Sequence, residues 1–259
     1  MAQKVTLITG CSSGIGLNIA VKLGKDAAKK YMVYSTMRNL GKQEPLQVAA
    51  GDALDDTLFI RPLDVVKEDS VTNAVNEIVD KHGRIDLVIN NAGIATFSPL
   101  EYTPLSDVRD VFETNFFGVV RMMQAVLPHM KEQRSGHIIN VSSIGGVLGH
   151  PFYETYSASK HAMEGLTESL AIRMKAFNVK DQFESKVQTA EDIAEIVQNI
   201  IEMDLSNRPV RFQTSEYVRE RTAMKFADFG SVTWMDFIRK IIEEPVVADS
   251  KPKHDESQI

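Results

Sequence analysis

The stretch TGCSSGIG, residues 9–16, closes an apolar run, VTLIT, and opens a segment with helical spacing. Its glycines, Gly10, Gly14 and Gly16, follow the pattern G-x-x-x-G-x-G. Glycine permits a tight turn and lets a ligand approach the backbone closely. The first turn of a helix offers unpaired N–H groups and a partial positive charge. A plain strand-to-helix turn would also use glycines. The position directly after the first strand favours a phosphate cradle made of Gly10, Ser12, Ser13, Gly14, Ile15 and Gly16.

Outward from this turn, short β-rich runs alternate with helical patterns. Strands are predicted over 31–37, 57–65, 84–90, 136–143 and 208–214, and helices over 15–28, 70–81, 104–130, 154–177 and 190–203. The third strand contains Pro62, which belongs at a sheet edge or strand end. The alternation implies an α/β protein with one doubly wound parallel sheet, and a single domain over residues 1–244. Residues 245–259 read as a polar, disordered tail.

Composition excludes several classes. The chain has 259 residues and a net charge of −6, with no basic stripe, which argues against a nucleic-acid partner. One cysteine, Cys11, allows no internal disulfide, and six scattered histidines show no metal spacing. No apolar run is long enough to span a membrane, so a cytoplasmic protein is expected. Trp234, Met235, Ile238, Ile241 and Ile242 share one helical face. That face suits peripheral membrane contact or a partner groove, although packing on the protein's own body is the preferred reading.

YSASK, residues 156–160, places a phenol and an ammonium one helical turn apart. A free tyrosine titrates near pH 10, so proton exchange near neutrality asks for roughly 4 kcal/mol of preference for the phenolate. A lysine ammonium and a cationic cofactor ring are the candidate sources. A Tyr/Lys pair on a helix is by itself ordinary surface decoration.

Four motifs in order, TGCSSGIG, Asp64 at the end of the third strand, NNAG at 90–93 and YSASK, resemble the short-chain dehydrogenase/reductase family. The segments YSTMRNL, NFFGVVRMMQAVLPHMK and SSIGGVLGHPFYETYSASKHAMEGLTESLA are similar to its estradiol 17-beta-dehydrogenase and photoreceptor-type retinol dehydrogenase branch. The resemblance implies a Rossmann-type sheet and hydride transfer between a nicotinamide and a hydrophobic alcohol or carbonyl, steroid or retinoid. It assigns Tyr156 as proton donor and acceptor, and Lys160 as modulator of that phenol and ribose ligand. Ser143 orients the substrate oxygen, and Asn115 holds a relay water. Ser142 is the competing serine, but the thirteen-residue spacing to Tyr156 favours Ser143. Asp64 contacts adenine, and Asn91, Ala92 and Gly93 line the cofactor. A homodimer through 104–131 and 154–177 is also implied, with Phe116, Phe117, Val120 and Met123 on a face that would equally suit ordinary core.

The second strand ends Tyr34-Ser35-Thr36-Met37-Arg38, with no acid to bind a ribose 2′-hydroxyl. Arg38, helped by Ser12, suits a 2′-phosphate, so NADP(H) is favoured over NAD(H). His150 lies near the predicted active-site segment, where a solvated loop histidine is the preferred reading.

After Phe177 the chain departs from the pattern. FNVKDQFESKVQTAED contains no Pro-Gly and no apolar strand run, and Val179, Phe183 and Val187 have helical spacing. The expectation is a sheet lacking one strand of the usual seven, with no substrate loop. The strand near 208–214 would slide in as replacement. On that reading the chain is alternatively a catalytically impaired dinucleotide-binding scaffold or a shortened isoform.

Overall fold

Seven strands form in the computed structural model, which describes residues 3–185, 190–203, 211–213 and 220. They are β1 (Lys4–Ile8), β2 (Tyr31–Met37), β3 (Leu58–Pro62), β4 (Leu87–Asn90), β5 (Gly136–Val141), β6 (Val179–Ser185) and β7 (Arg211–Gln213). All pair in parallel, in the order β3-β2-β1-β4-β5-β6-β7. The winding reverses between β1 and β4, which opens a crevice at their carboxyl ends. Pro62 closes β3, the edge strand, where its missing N–H leaves no ladder bond unmade.

Helices cover both faces: α1 (Gly14–Gly24), α2 (Glu44–Ala50), α3 (Glu68–His82), α4 (Leu105–Phe112), α5 (Gly118–Gln133), α6 (Glu154–Met174) and α7 (Ala190–Glu202). Alternation along β1 divides the core. Ile8 packs with Ile19 and Leu23 of α1 and Val197 of α7. Val5 and Leu7 pack with Ile78 of α3, Met122 of α5 and Met163 of α6. Each such side chain removed from water contributes about 1.5–3 kcal/mol, so the double cover reinforces the strand preference of so short a run.

The expected helix over 104–130 is two helices joined by a π-turn, Glu113–Phe117. Its centre is Asn115, fully buried. The apolar spacing runs through the insertion, so periodicity alone does not reveal it. Helix α2 was not among the expected elements.

The largest correction concerns the sheet. It does not lack a strand: β6 occupies the place predicted to be vacant. Six consecutive residues pair, from Gly136↔Val179 to Val141↔Glu184. The exposed edge of β5 has unpaired N–H and C=O groups that burial makes costly, and this overrides the helical spacing of 179–187. Chain reversal is prepared by two left-handed residues, Arg134 before β5 and Asn178 before β6. They clasp one another's turns, with Asn178 Nδ2 donating to the Arg134 carbonyl and Arg134 Nη2 donating to the Ala176 carbonyl. Strand β7 therefore does not slide in beside β5 but pairs outside β6. The predicted tail 245–259, the amphipathic stretch 231–244, Thr189 and Val187 lie outside the described residues.

Candidate active site

The loop after β1 is shaped by side chains that are not there. Gly10 has φ +73°, and a β-carbon on it would sit 2.8 Å from Ala92 Cα. A β-carbon on Gly16 would collide with the Gly10 carbonyl oxygen and Asn91 Nδ2. Asn91 staples the turn by donating from Nδ2 to the carbonyls of Thr9 and Gly10, both at 3.0 Å. The Thr9 hydroxyl accepts from the amides of Asn91 and Ala92. Thr9 is a structural member of this site that motif reading passed over, although it stands first in TGCSSGIG. At the N-cap of α1, Ser13 makes no side-chain bond to the first-turn amides, which leaves them for an anion.

A cavity of about 440 Å³ runs from this turn across the carboxyl ends of the strands. Gly10, Ser12, Ser13, Ile15, Arg38 and Asp64 line one end, and Asn91, Ala92 and Gly93 its middle. Tyr156, Lys160 and Ser142 line the other. Asp64 accepts from the Val66 amide at 3.2 Å, which fixes the loop behind its carboxylate. Arg38 is exposed and makes no ion pair among the described residues. The residues present thus fit a dinucleotide: space where β-carbons would be, free helix amides at its middle, and a cation beyond β2.

At the chemical end, Ser143 Oγ accepts from the Gly145 amide at 3.1 Å and hydrogen-bonds the Tyr156 phenol. Ser142 turns away, its hydroxyl donating to Glu164 at 2.7 Å. Lys160, buried, donates to the Val141 carbonyl at 2.8 Å, and its Nζ lies 5.8 Å from the centre of the Tyr156 ring. Asn115 Oδ1 accepts from the Ile94 amide, while its Nδ2 donates to the Ile94 carbonyl and to Ser159 Oγ. Its oxygen and one amide hydrogen therefore frame Ile94, and the other hydrogen ties that segment to Ser159 of α6. Ser159 in turn donates to the Tyr156 carbonyl, a supporting role hidden inside YSASK.

Burial pushes the Tyr156 phenol upward; the Ser143 bond opposes that shift and Tyr153 adds to it. The depression expected near neutrality is thus not present in the protein alone. Among the described residues, no group of histidine, cysteine and acidic side chains is placed to hold a metal, and no helix is long and apolar enough to cross a membrane. His150 is half-buried, its ring bonded to the Leu148 carbonyl, and burial lowers its pKa.

Residues 4–182 match the short chain dehydrogenase model. The chain belongs to the short chain dehydrogenase family. It is 49% identical over 178 residues to retinol dehydrogenase 8 of Bos taurus, covering 69% of this chain and 56% of that one. It is 45% identical over 181 residues to estradiol 17-beta-dehydrogenase 1 of Rattus norvegicus, covering 69% and 52%. This short chain dehydrogenase therefore spans about half the length of the curated relatives it matches. Among solved structures, a short-chain dehydrogenase from Streptomyces avermitilis aligns with a TM-score of 0.79 at 25% identity, over 92% of this chain and 98% of that one. A metagenomic short-chain oxidoreductase in complex with NADP gives 0.73 at 27% identity, over 81% and 96%.

Proposed function

We propose that the protein is an NADP(H)-dependent oxidoreductase that interconverts a hydrophobic alcohol and its carbonyl compound, with a steroid or retinoid skeleton. The observation that carries this reading is that Tyr156 and Lys160 line the end of a cavity whose other end is the glycine turn, with Ser143 hydrogen-bonded to the Tyr156 phenol from behind that lining. The relatives named for retinol and estradiol support the substrate class, and the NADP-bound relative supports the cofactor.

A bound nicotinamide would supply or take the hydride at the substrate carbon. The protein's own groups manage the oxygen. Ser143 donates to it, and Tyr156 gives it a proton in reduction or removes one in oxidation. Lys160 adds positive charge one turn along and opposes the burial that keeps the phenol neutral. Asn115 holds the Gly93–Ile94 wall against which the reacting ring would lie. Arg38 meets the 2′-phosphate, and Asp64 the adenine. A homodimer through α4, α5 and α6, residues 104–131 and 154–177, belongs to the same proposal.

The alternative of a scaffold without catalysis rests on an absent substrate loop, an absent Pro-Gly after Phe177 and a missing sixth strand; of these, the strand is present as β6. Four residues, 186–189, separate β6 from α7. The test is NADPH oxidation followed by absorbance, with retinal and with a steroid ketone. Turnover is expected with one of them, and Tyr156→Phe should abolish it while NADPH still enhances its fluorescence on binding. Turnover unchanged in that variant, or no NADPH binding by the wild type, would refute the proposal.

A further inference from the structure

Helix α6 carries an unusual stripe on the face it buries. Ser157, Lys160, Glu164 and Thr167 recur at helical spacing, and all are at least 95% removed from solvent. A helix packed on a sheet ordinarily places apolar residues there. Three of them grip the end of β5 or the turn after it, while the buried Ser157 hydroxyl makes no hydrogen bond among the described residues. Lys160 donates to the Val141 carbonyl, Asn140 donates to the Thr167 hydroxyl, and Ser142 donates to Glu164 Oε1. A carboxyl group is expensive to bury, and this one lies under a loop that bears a reacting serine.

We propose that Glu164 is the positioning residue for Ser143. The proposal rests on the functional reading above for its kinetic consequence, but not for its geometry. Glu164 is 2% exposed, and so is Ser142. The turn 143–146 crosses directly over their hydrogen bond, because a β-carbon on Gly146 would lie 2.6 Å from Ser142 Oγ and 2.9 Å from Glu164 Cδ. The same turn is pinned from within, with Gly145 donating to Ser143 Oγ and Gly146 donating to the Ser143 carbonyl at 2.9 Å. With Ser142 tethered to α6, the extended backbone of Ser143 aims its hydroxyl at Tyr156. Both the tether and its target stand on one helix, eight residues apart, so the serine and the phenol move as one body. Glu164 touches no reacting atom.

The experiment compares Glu164→Met, Glu164→Gln and Ser142→Ala by amide hydrogen exchange, NADPH kinetics and thermal melting. In Glu164→Met, exchange at Gly145 and Gly146 should accelerate roughly tenfold, as for one lost buried hydrogen bond, while amides of α1 stay unchanged. The kcat should fall about tenfold with the NADPH KM within about twofold, and Glu164→Gln, which keeps an acceptor, should recover most of the loss. Added to Ser143→Ala, Glu164→Met should cost little more, because the residue acts only through that hydroxyl. Unchanged exchange at Gly145 and Gly146, acceleration spread through the whole fold, or effects that multiply with Ser143→Ala would overturn the proposal. Should Glu164→Met not fold, Ser142→Ala removes the same bond from its donor side and is read in the same way. A wild type that turns over no carbonyl would sink the proposed function alone, and the exchange measurement would still decide this one.

Discussion

The two ends of the cavity are held by opposite means. At the nucleotide end, shape comes from side chains left out, since Gly10 and Gly16 make room for one another, for Ala92 and for Asn91. At the Tyr156 end, the proposed chemical end, shape comes from side chains put in: Ser142, Glu164, Ser159, Lys160 and Asn115 each bond a neighbouring segment around Tyr156. A site built by omission fails sterically and all at once. One built from hydrogen bonds loses function by degrees, since each bond contributes about 1 kcal/mol, or somewhat more when a partner is charged. The sharpest break of the comparison is therefore Gly16→Val. It should abolish measurable NADPH binding by fluorescence, a loss of at least about a thousandfold, because neither the Gly10 carbonyl nor Asn91 can retreat without undoing the staple. Binding within about tenfold of wild type would show that the turn is more plastic than its contacts imply.

The same contrast sorts what sequence reading could see. Omission leaves a fixed signature, and Gly10, Gly14 and Gly16 declare the turn whatever surrounds them. The networks leave little trace. Glu164 follows Lys160 by four residues and reads as a solvated helix carboxylate until β5 is laid against it. Asn115 is visible as a motif, but the π-turn that buries it is not, because its helices share one apolar rhythm. Strand β6 is hidden in another way. VKDQFES has little strand character of its own, and it is the open edge of β5 that makes it a strand.

A graded response at the chemical end should appear with pH. Burial holds the Tyr156 phenol above its ordinary value, and the titratable groups facing it are Tyr153 and Lys160. A phenol raised in this way is protonated through neutrality, ready to donate and unready to accept. Carbonyl reduction should thus be flat with pH near neutrality, while alcohol oxidation should climb about tenfold per pH unit on its acid limb. The folded state keeps this proton longer than the unfolded chain. The associated stability is present below about pH 10 and is lost as pH rises through the folded value. Tyr156→Phe should remove that alkaline loss in a melting series. An oxidation rate independent of pH would contradict the assignment of Tyr156 as the titrating group.

At the nucleotide end, Arg38 is the exception to construction by omission. It lines the cavity from an exposed position beyond β2, so under the proposed function it would contribute a single charge-assisted contact in water. Arg38→Ala should weaken NADPH about tenfold and leave NADH unchanged, which paired titrations by fluorescence would show. Equal losses for both cofactors would place the arginine elsewhere than at a 2′-phosphate.

The smallest effect is expected within TGCSSGIG itself. Cys11 stands between Gly10 and Ser12, which both line the cavity, yet its side chain points into the core and is fully buried. Its Sγ donates to the Ile8 carbonyl, and its amide donates to the Thr36 carbonyl, so this residue ties the turn to β2 rather than to a ligand. Burial pushes the thiol up to about 12. Since only the thiolate attacks, an alkylating reagent at pH 8 should leave the native protein unlabelled and modify it stoichiometrically once unfolded. Cys11→Ala should cost about 1–2 kcal/mol of stability for the lost packing, with NADPH affinity unchanged. Rapid native labelling, or a cofactor affinity that falls with the substitution, would mean that the turn's two faces are not independent. The division between a face of omission and a face of packing would then have to be redrawn inside a single residue's reach.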